Sequence, residues 1–122
     1  MPYATSFYLD RRLMVTRAWG HITVDDVRAF RQEIVARPGF NPTWAHIFDA
    51  REAVDFDLSN EEIRQIAETS RLAPSARRAM VATDPAVFAL FRTYGTLFEL
   101  QMDGSAVGVF TTLDDAIEWV TP

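Results

Sequence analysis

The sequence predicts an α/β fold in the order β-β-α-β-α-β-α-β-α, and three observations carry that expectation. Short apolar runs of strand length alternate with longer segments whose apolar residues recur at helical spacing. Ahead of each longer segment stands a Ser, Thr or Asp, followed by acids or a proline in the manner of a helix start. The first two apolar runs are separated only by Asp10-Arg11-Arg12, the spacing of a hairpin. Strands alternating with helices pair in parallel through right-handed crossovers, and the hairpin adds one antiparallel strand.

Taken in order, residues 3–9 (YATSFYL) alternate, with aromatic and β-branched members, residues 13–19 (LMVTRAW) read as a second strand, and the two form the hairpin, which Gly20 ends. Thr23 opens the first helix, with Val27, Phe30, Ile34 and Val35 on one stripe, and Pro38-Gly39 stops it. Residues 44–49 (WAHIFD) read as a buried strand and Ala50 to Leu58 as a loop. Ser59 opens a helix carrying Ile63, Ile66 and Ala67, with Pro74 just past its end. Residues 78–83 (RAMVAT) are the next strand, and Asp84-Pro85 starts a third helix running to about Gln101. Asp103-Gly104 is a turn, residues 106–110 (AVGVF) a last strand, and 112–120 a last helix.

The helix starts account for much of the acidity. Asp25 and Asp26 follow Thr23, Glu61 and Glu62 follow Ser59, Asp84 precedes Pro85, and Asp114 and Asp115 follow Thr112. These seven of the 17 acids sit where orphan amides and the helix dipole favour carboxylates, so the pairs read as caps before they read as catalytic dyads.

With 122 residues, 48% of them hydrophobic, the chain makes one domain over 1–122 with a core of its own. Cys is absent, which excludes disulfides, thiolate metal sites and cysteine nucleophiles. All 12 basic residues are Arg, so Schiff-base chemistry and a phosphate-loop lysine are excluded as well. Exclusive use of Arg reads as codon bias and suggests a GC-rich bacterial source. The net charge of −5 and the lack of a basic stripe argue against nucleic acid. No apolar run reaches the ~18 residues of a membrane span, and MPYATSFYLDRR lacks the pattern of a secretory signal. The expectation is a cytoplasmic protein that is not an integral membrane protein.

No dinucleotide, phosphate-loop, nucleophile-elbow or zinc-protease motif is present. His21 is expected in a loop after the second strand and His46 as a half-buried strand residue, too far apart for a shared metal, so neither metal nor cofactor is expected. In parallel sheets ligands sit at the carboxyl ends of the strands. That edge nominates Asp49 and Arg51 after the third strand, Asp57 and Ser59 before the second helix, and Thr83 and Asp84 after the fourth strand as ligand or partner contacts. The third helix is apolar over more than the ~100° that a surface helix buries. Phe88, Phe91, Tyr94, Phe98 and Met102 nominate it either as a deeply buried helix or as a face for a second subunit or an apolar ligand.

The segments LDRRLMVTRAWGHIT, RPGFNP, HIFDAREAVDFDLSNEEIR, ATDPAVFALFR and VFTTLDDAIEWV, spanning essentially the whole chain, together resemble the SpoIIAA-like, STAS-like group of small bacterial proteins. That group is related in fold to the Sec14 lipid-binding domain. The resemblance implies a mixed five-stranded sheet in near-sequential order, an N-terminal β-hairpin followed by αβαβαβα, helices mainly on one face, and no catalytic machinery. It also implies a counterpart of the phosphorylated serine of anti-sigma-factor antagonists at Ser59, although DLSN replaces their D-S-S-G-like run.

The leading expectation is a non-enzymatic interaction module, a homodimer that binds a protein partner or an apolar small molecule. The alternatives are a lipid or small-hydrophobe carrier of Sec14-like type, a phosphoswitch at Ser59, and an enzyme using Asp49, His21 and Arg51 as acid, base and clamp.

Overall fold

The computed structural model describes residues 2–73, 75–101 and 106–121, the side chains of 101 and 106 excepted. Strands β1 (Tyr3–Tyr8) and β2 (Leu13–Thr23) form the hairpin, joined by a 3-10 turn over Leu9–Arg11 and by Arg12 in the left-handed region at φ 51°. There follow α1 (Val24–Ala36), β3 (Ala45–Asp57), α2 (Asn60–Glu68), β4 (Arg77–Val81), α3 (Pro85–Gln101), β5 (Ala106–Phe110) and α4 (Leu113–Val120). The strand order is β1-β2-β3-β4-β5, with β1 antiparallel to β2 and every later pair parallel. The expected α/β class and mixed five-stranded sheet are therefore present.

Sequential order decides where the helices go. Each step from β2 to β5 moves in the same direction across the sheet, so right-handed crossovers put α1, α2 and α3 on one face. A core there gathers Met14, Ala18 and Phe48 from the sheet, Val27, Phe30 and Ile34 from α1 and Val87 and Phe91 from α3. After β5 no crossover constrains the chain, and α4 turns to the opposite face. Its Ala116 and Val120 pack on Leu13, Ile47, Ala79 and Val81. Gly108 on β5 is required by this second layer: a Cβ there would lie 2.7 Å from the ring of Phe110, which leans on Trp119.

The caps stand as read. Thr23 Oγ1 accepts the amide of Asp26, and the Asp26 carboxylate accepts that of Thr23. Ser59 and Glu62 make the same reciprocal box. The Asp84 carboxylate accepts the amides of Ala86 and Val87 at 2.9 and 3.1 Å, and Thr112 accepts that of Asp115. The bonds from Ser59 hold the Glu62 carboxyl below its ordinary pKa. Ser59→Ala is expected to cost about 1 kcal/mol of stability in urea unfolding and to return the Glu62 titration, followed by NMR, toward the ordinary value.

One segment differs from expectation. Ala50 to Leu58, read as a loop, is largely the second half of β3, which stays paired to β2 until Thr23 meets Asp57. β4 pairs with β3 only as far as Asp49, so β2 and β3 run on as a two-stranded ribbon. Two register shifts, between Arg17 and Trp19 and between Gly20 and His21, each leave an extra residue on β3. These bulges re-aim the strand so that Ala50, Ala53 and Phe56, three residues apart, all face the α1–α3 core. Gly20, at φ 70°, supplies the left-handed backbone that the second shift uses. The Asp103-Gly104 turn, Pro74 and Met102 lie outside the described residues.

Candidate functional site

The residues nominated at the carboxyl edge divide into two places. Asp49 is in the middle of β3 and not at its end, because the strand continues into the ribbon. Asp49 and Arg51 share a face, two residues apart, and pair in a fork: Arg51 Nε donates to Oδ1 at 2.9 Å and Nη2 to Oδ2 at 2.8 Å. Asp49 is buried, and its carboxylate holds the Arg51 guanidinium above its ordinary pKa. Thr83 donates to the Arg51 carbonyl at 3.4 Å, and Asp84 caps α3 nearby in the chain. Asp57 and Ser59 belong to the far end of the ribbon, where Ser59 Oγ is occupied by its cap.

His21 also moves, from a loop into β2. It lies opposite Asp55 and bonds it, Nδ1 to Oδ1, at 2.6 Å. Asp49 faces Arg17, four residues earlier on β2 and roughly 13 Å away along the strand. His21, Asp49 and Arg51 therefore form two separate pairs, each solving its own electrostatics, and do not converge as acid, base and clamp.

On α3, Phe91 and Phe98 are buried in the chain's own core. Phe91 meets Phe48 and Phe56 edge-on, and Phe98 lies against Tyr94 and under the guanidinium of Arg78. Phe88 is half-buried beside β5. The most exposed large apolar residue described on this helix is Leu100.

Between that helix, α1, α2 and the sheet lies a cavity of about 120 Å³, partly open to solvent. Its walls are mainly Phe30, Phe48, Phe56, Phe91, Ile63 and Ile66. Phe56 reaches it because the ribbon bulges turn that ring inward against Phe48 and Phe91. Into these apolar walls are set Arg31, Arg71, Arg78, His46, Tyr94 and Ser70.

Arg78 is the least exposed of the charged groups in this wall, at 5%. Its Nη atoms donate to the carbonyls of Ala76, Leu72 and Ala73 and to Ser70 Oγ, which ties down the segment between α2 and β4. Its Nε is buried with no partner among the described residues. Arg31 donates to Thr69 Oγ1 at 3.1 Å. All these acceptors are uncharged. Burial lowers the pKa of both guanidiniums; Tyr94 acts to raise each, while Arg71 further lowers Arg31 and Arg31 further lowers Arg78. Burial also raises the Tyr94 hydroxyl above its usual range, which keeps it a neutral donor. His46 bonds Thr16 Oγ1 at 2.9 Å, and Thr16 bonds Thr5 in turn. Burial first, then Arg78 and Arg31, push His46 down to about 4, so the ring is neutral at pH 7.

The sequentially ordered mixed sheet with three helices on one face has a structural counterpart. An uncharacterized protein of the DUF3478 family from Shewanella loihica PV-4, with a SpoIIAA-like fold, superposes with a TM-score of 0.63. The alignment covers 97% of this chain and 93% of that one at 13% identity. The fold is SpoIIAA-like. No protein-family model matches the chain, and no curated protein does. The SpoIIAA-like fold fixes the layout of strands and helices.

His46 is the half-buried strand residue that the sequence predicts, whereas Arg78 and Arg31 are not among the residues nominated from sequence. A signal for both was there. Arg78 shares its strand face with Met80 and Ala82, two and four residues on, so alternation already turned it inward. Arg31 stands between Val27 and Val35 at helical spacing, inside the apolar stripe of α1.

Proposed function

We propose that this chain is a non-enzymatic binding module that takes a small, largely apolar molecule into the cavity between α1, α2, α3 and the sheet. The observation that supports this reading is the cavity itself, walled by aromatic and aliphatic side chains drawn from all three helices and the sheet. A dry apolar cavity of ~150 Å³ takes a benzene-sized guest, and the space here is of that order. It is smaller than the ~300–1,000 Å³ of a drug-sized pocket, which narrows the carrier alternative from a two-chain lipid to a small hydrophobe. A homodimer through α3 would have to use Leu100 and its polar neighbours, because Phe91 and Phe98 are committed to the core.

The test is thermal and chemical stability in the presence of hexan-1-ol and of toluene. Ligand at a hundredfold over its Kd is expected to add about 2.7 kcal/mol. Ile66→Phe, which fills the cavity from half-buried α2, is expected to fold and to lose that gain. Equal gains in the wild type and in Ile66→Phe, or no gain in either, overturn the reading.

A further inference from the structure

We infer that the natural occupant of this cavity carries an anionic head, a carboxylate on a short apolar tail, received by Arg78 and Arg31; this rests on the binding reading above and specifies its ligand. Two guanidiniums set in a mainly apolar wall are an expensive arrangement, since a buried charge is tolerated when it is paired. Here the pairing is incomplete. Arg78 spends its Nη donors on three carbonyls and one hydroxyl, which leaves its charge in place and its Nε without an acceptor. Arg31 has a threonine oxygen as its partner. Among the described residues, the charges acting on these two cations are Tyr94 and Arg71 for Arg31, and Tyr94 and Arg31 for Arg78.

The carbonyl bonds do something else as well. They fix the Arg78 plane against the chain between α2 and β4, and the Phe98 ring, 4.2 Å from the guanidinium carbon, closes off one face. A cation held this firmly is preorganised for an anion that arrives later. A carboxylate suits the site because it brings a negative charge to two cations bonded to neutral oxygens, and charge-assisted bonds are the strong ones. Tyr94, a neutral hydroxyl in the same wall, is a further donor for it. The remainder of the wall sets the tail: Phe48, Phe56, Phe91 and Ile63 offer nothing polar, and the volume of about 120 Å³ limits it to about the size of a six-carbon chain or one aromatic ring.

Isothermal titration of the intact chain at pH 7.5 with hexanoate and with hexan-1-ol tests this, since the two probes differ in the head alone. Hexanoate is expected to bind about 10-fold or more tightly than hexan-1-ol, one charge-assisted contact's worth, and to shift the His46 ring signals in NMR. Arg31→Gln, at a half-buried position of α1, and Arg78→Lys are each expected to shrink that preference severalfold, read as the ratio of the two affinities within each variant. Equal affinity for the two probes overturns the anionic head and leaves the apolar cavity standing. A hexanoate preference untouched by both variants, or without a shift at His46, places the anion elsewhere and overturns the inference. Failure of both probes to bind removes the cavity reading together with it.

Discussion

Phe48→Ala is expected to destabilise the protein by about 3–5 kcal/mol, the range for deleting a buried aromatic ring. Phe48 sits where the three aromatic contributors to the core meet. Its ring stacks on Phe30 of α1 at 5.3 Å and takes edge contacts from Phe91 of α3 at 5.7 Å and from Phe56 of the ribbon at 6.0 Å. Truncation removes one partner from each of these rings at once, beyond the area lost from water. The hole cannot collapse easily, because the sheet fixes one wall and two separate helices fix the others. It opens into the existing cavity, so hexan-1-ol should bind the variant at least as well as the wild type and recover part of the lost stability. Urea unfolding with and without hexan-1-ol measures both effects. A loss below about 1 kcal/mol would mean that the cluster carries little of the core.

The legibility of this fold follows from which forces are local. Helix caps are local: Thr23, Ser59, Asp84 and Thr112 each bond amides two or three residues on, so composition over four positions is enough to read them. The crossover rule then converts element order into layers without knowledge of any contact. What escaped was the ribbon. Ala50, Ala53 and Phe56 recur every third residue, a period that belongs to neither a straight strand nor a helix, and a loop is the natural reading of REAVDFD. Two bulges reconcile that period with a strand, but a bulge is set by the partner strand β2, here with Gly20, and not by the bulged segment alone.

The same distinction runs through the site. The expectation of ligand contacts at the strand ends drew attention to Asp49, Arg51, Asp57, Ser59, Thr83 and Asp84. The structure gives five of them immediate structural partners: a fork for Asp49 and Arg51, a carbonyl for Thr83, amides for Ser59 and Asp84. A charged residue next to a turn has many short-range ways to be satisfied, so its presence carries little information about ligands. Arg78 and Arg31 occupy core-facing positions in otherwise apolar patterns, where every satisfying group must be supplied on purpose. Polar residues that break an apolar face carry more information of that kind, and Tyr94 and Phe98 of α3 lie beside these two.

Acid should weaken this protein through His46 before general carboxylate protonation does. The unfolded ring titrates near 6.5 and the folded ring at about 4, depressed by burial and by the facing charges of Arg78 and Arg31. Between those values the unfolded chain binds a proton that the folded chain refuses. The stabilising contribution is therefore complete above about pH 6.5, falls as pH drops, and is exhausted below about pH 4. The full shift corresponds to about 3 kcal/mol, and about 2 kcal/mol of it is gone by pH 5. Protonation is resisted for a structural reason: the ring is buried, and the charged groups that act on it, Arg78 and Arg31, are cations. His46→Gln keeps a polar group for Thr16 and does not titrate. Its stability, measured by urea unfolding from pH 7.5 to 4.5, should fall less steeply than that of the wild type, the two curves converging toward acid pH by about 2.5 kcal/mol. Carboxylates with depressed pKa values, such as Glu62, lose their contributions at lower pH and do so equally in both chains, so the difference between the curves isolates the histidine. Parallel curves would show that His46 titrates alike in the folded and unfolded chains, and that the cavity wall does not exert the positive field assigned to it.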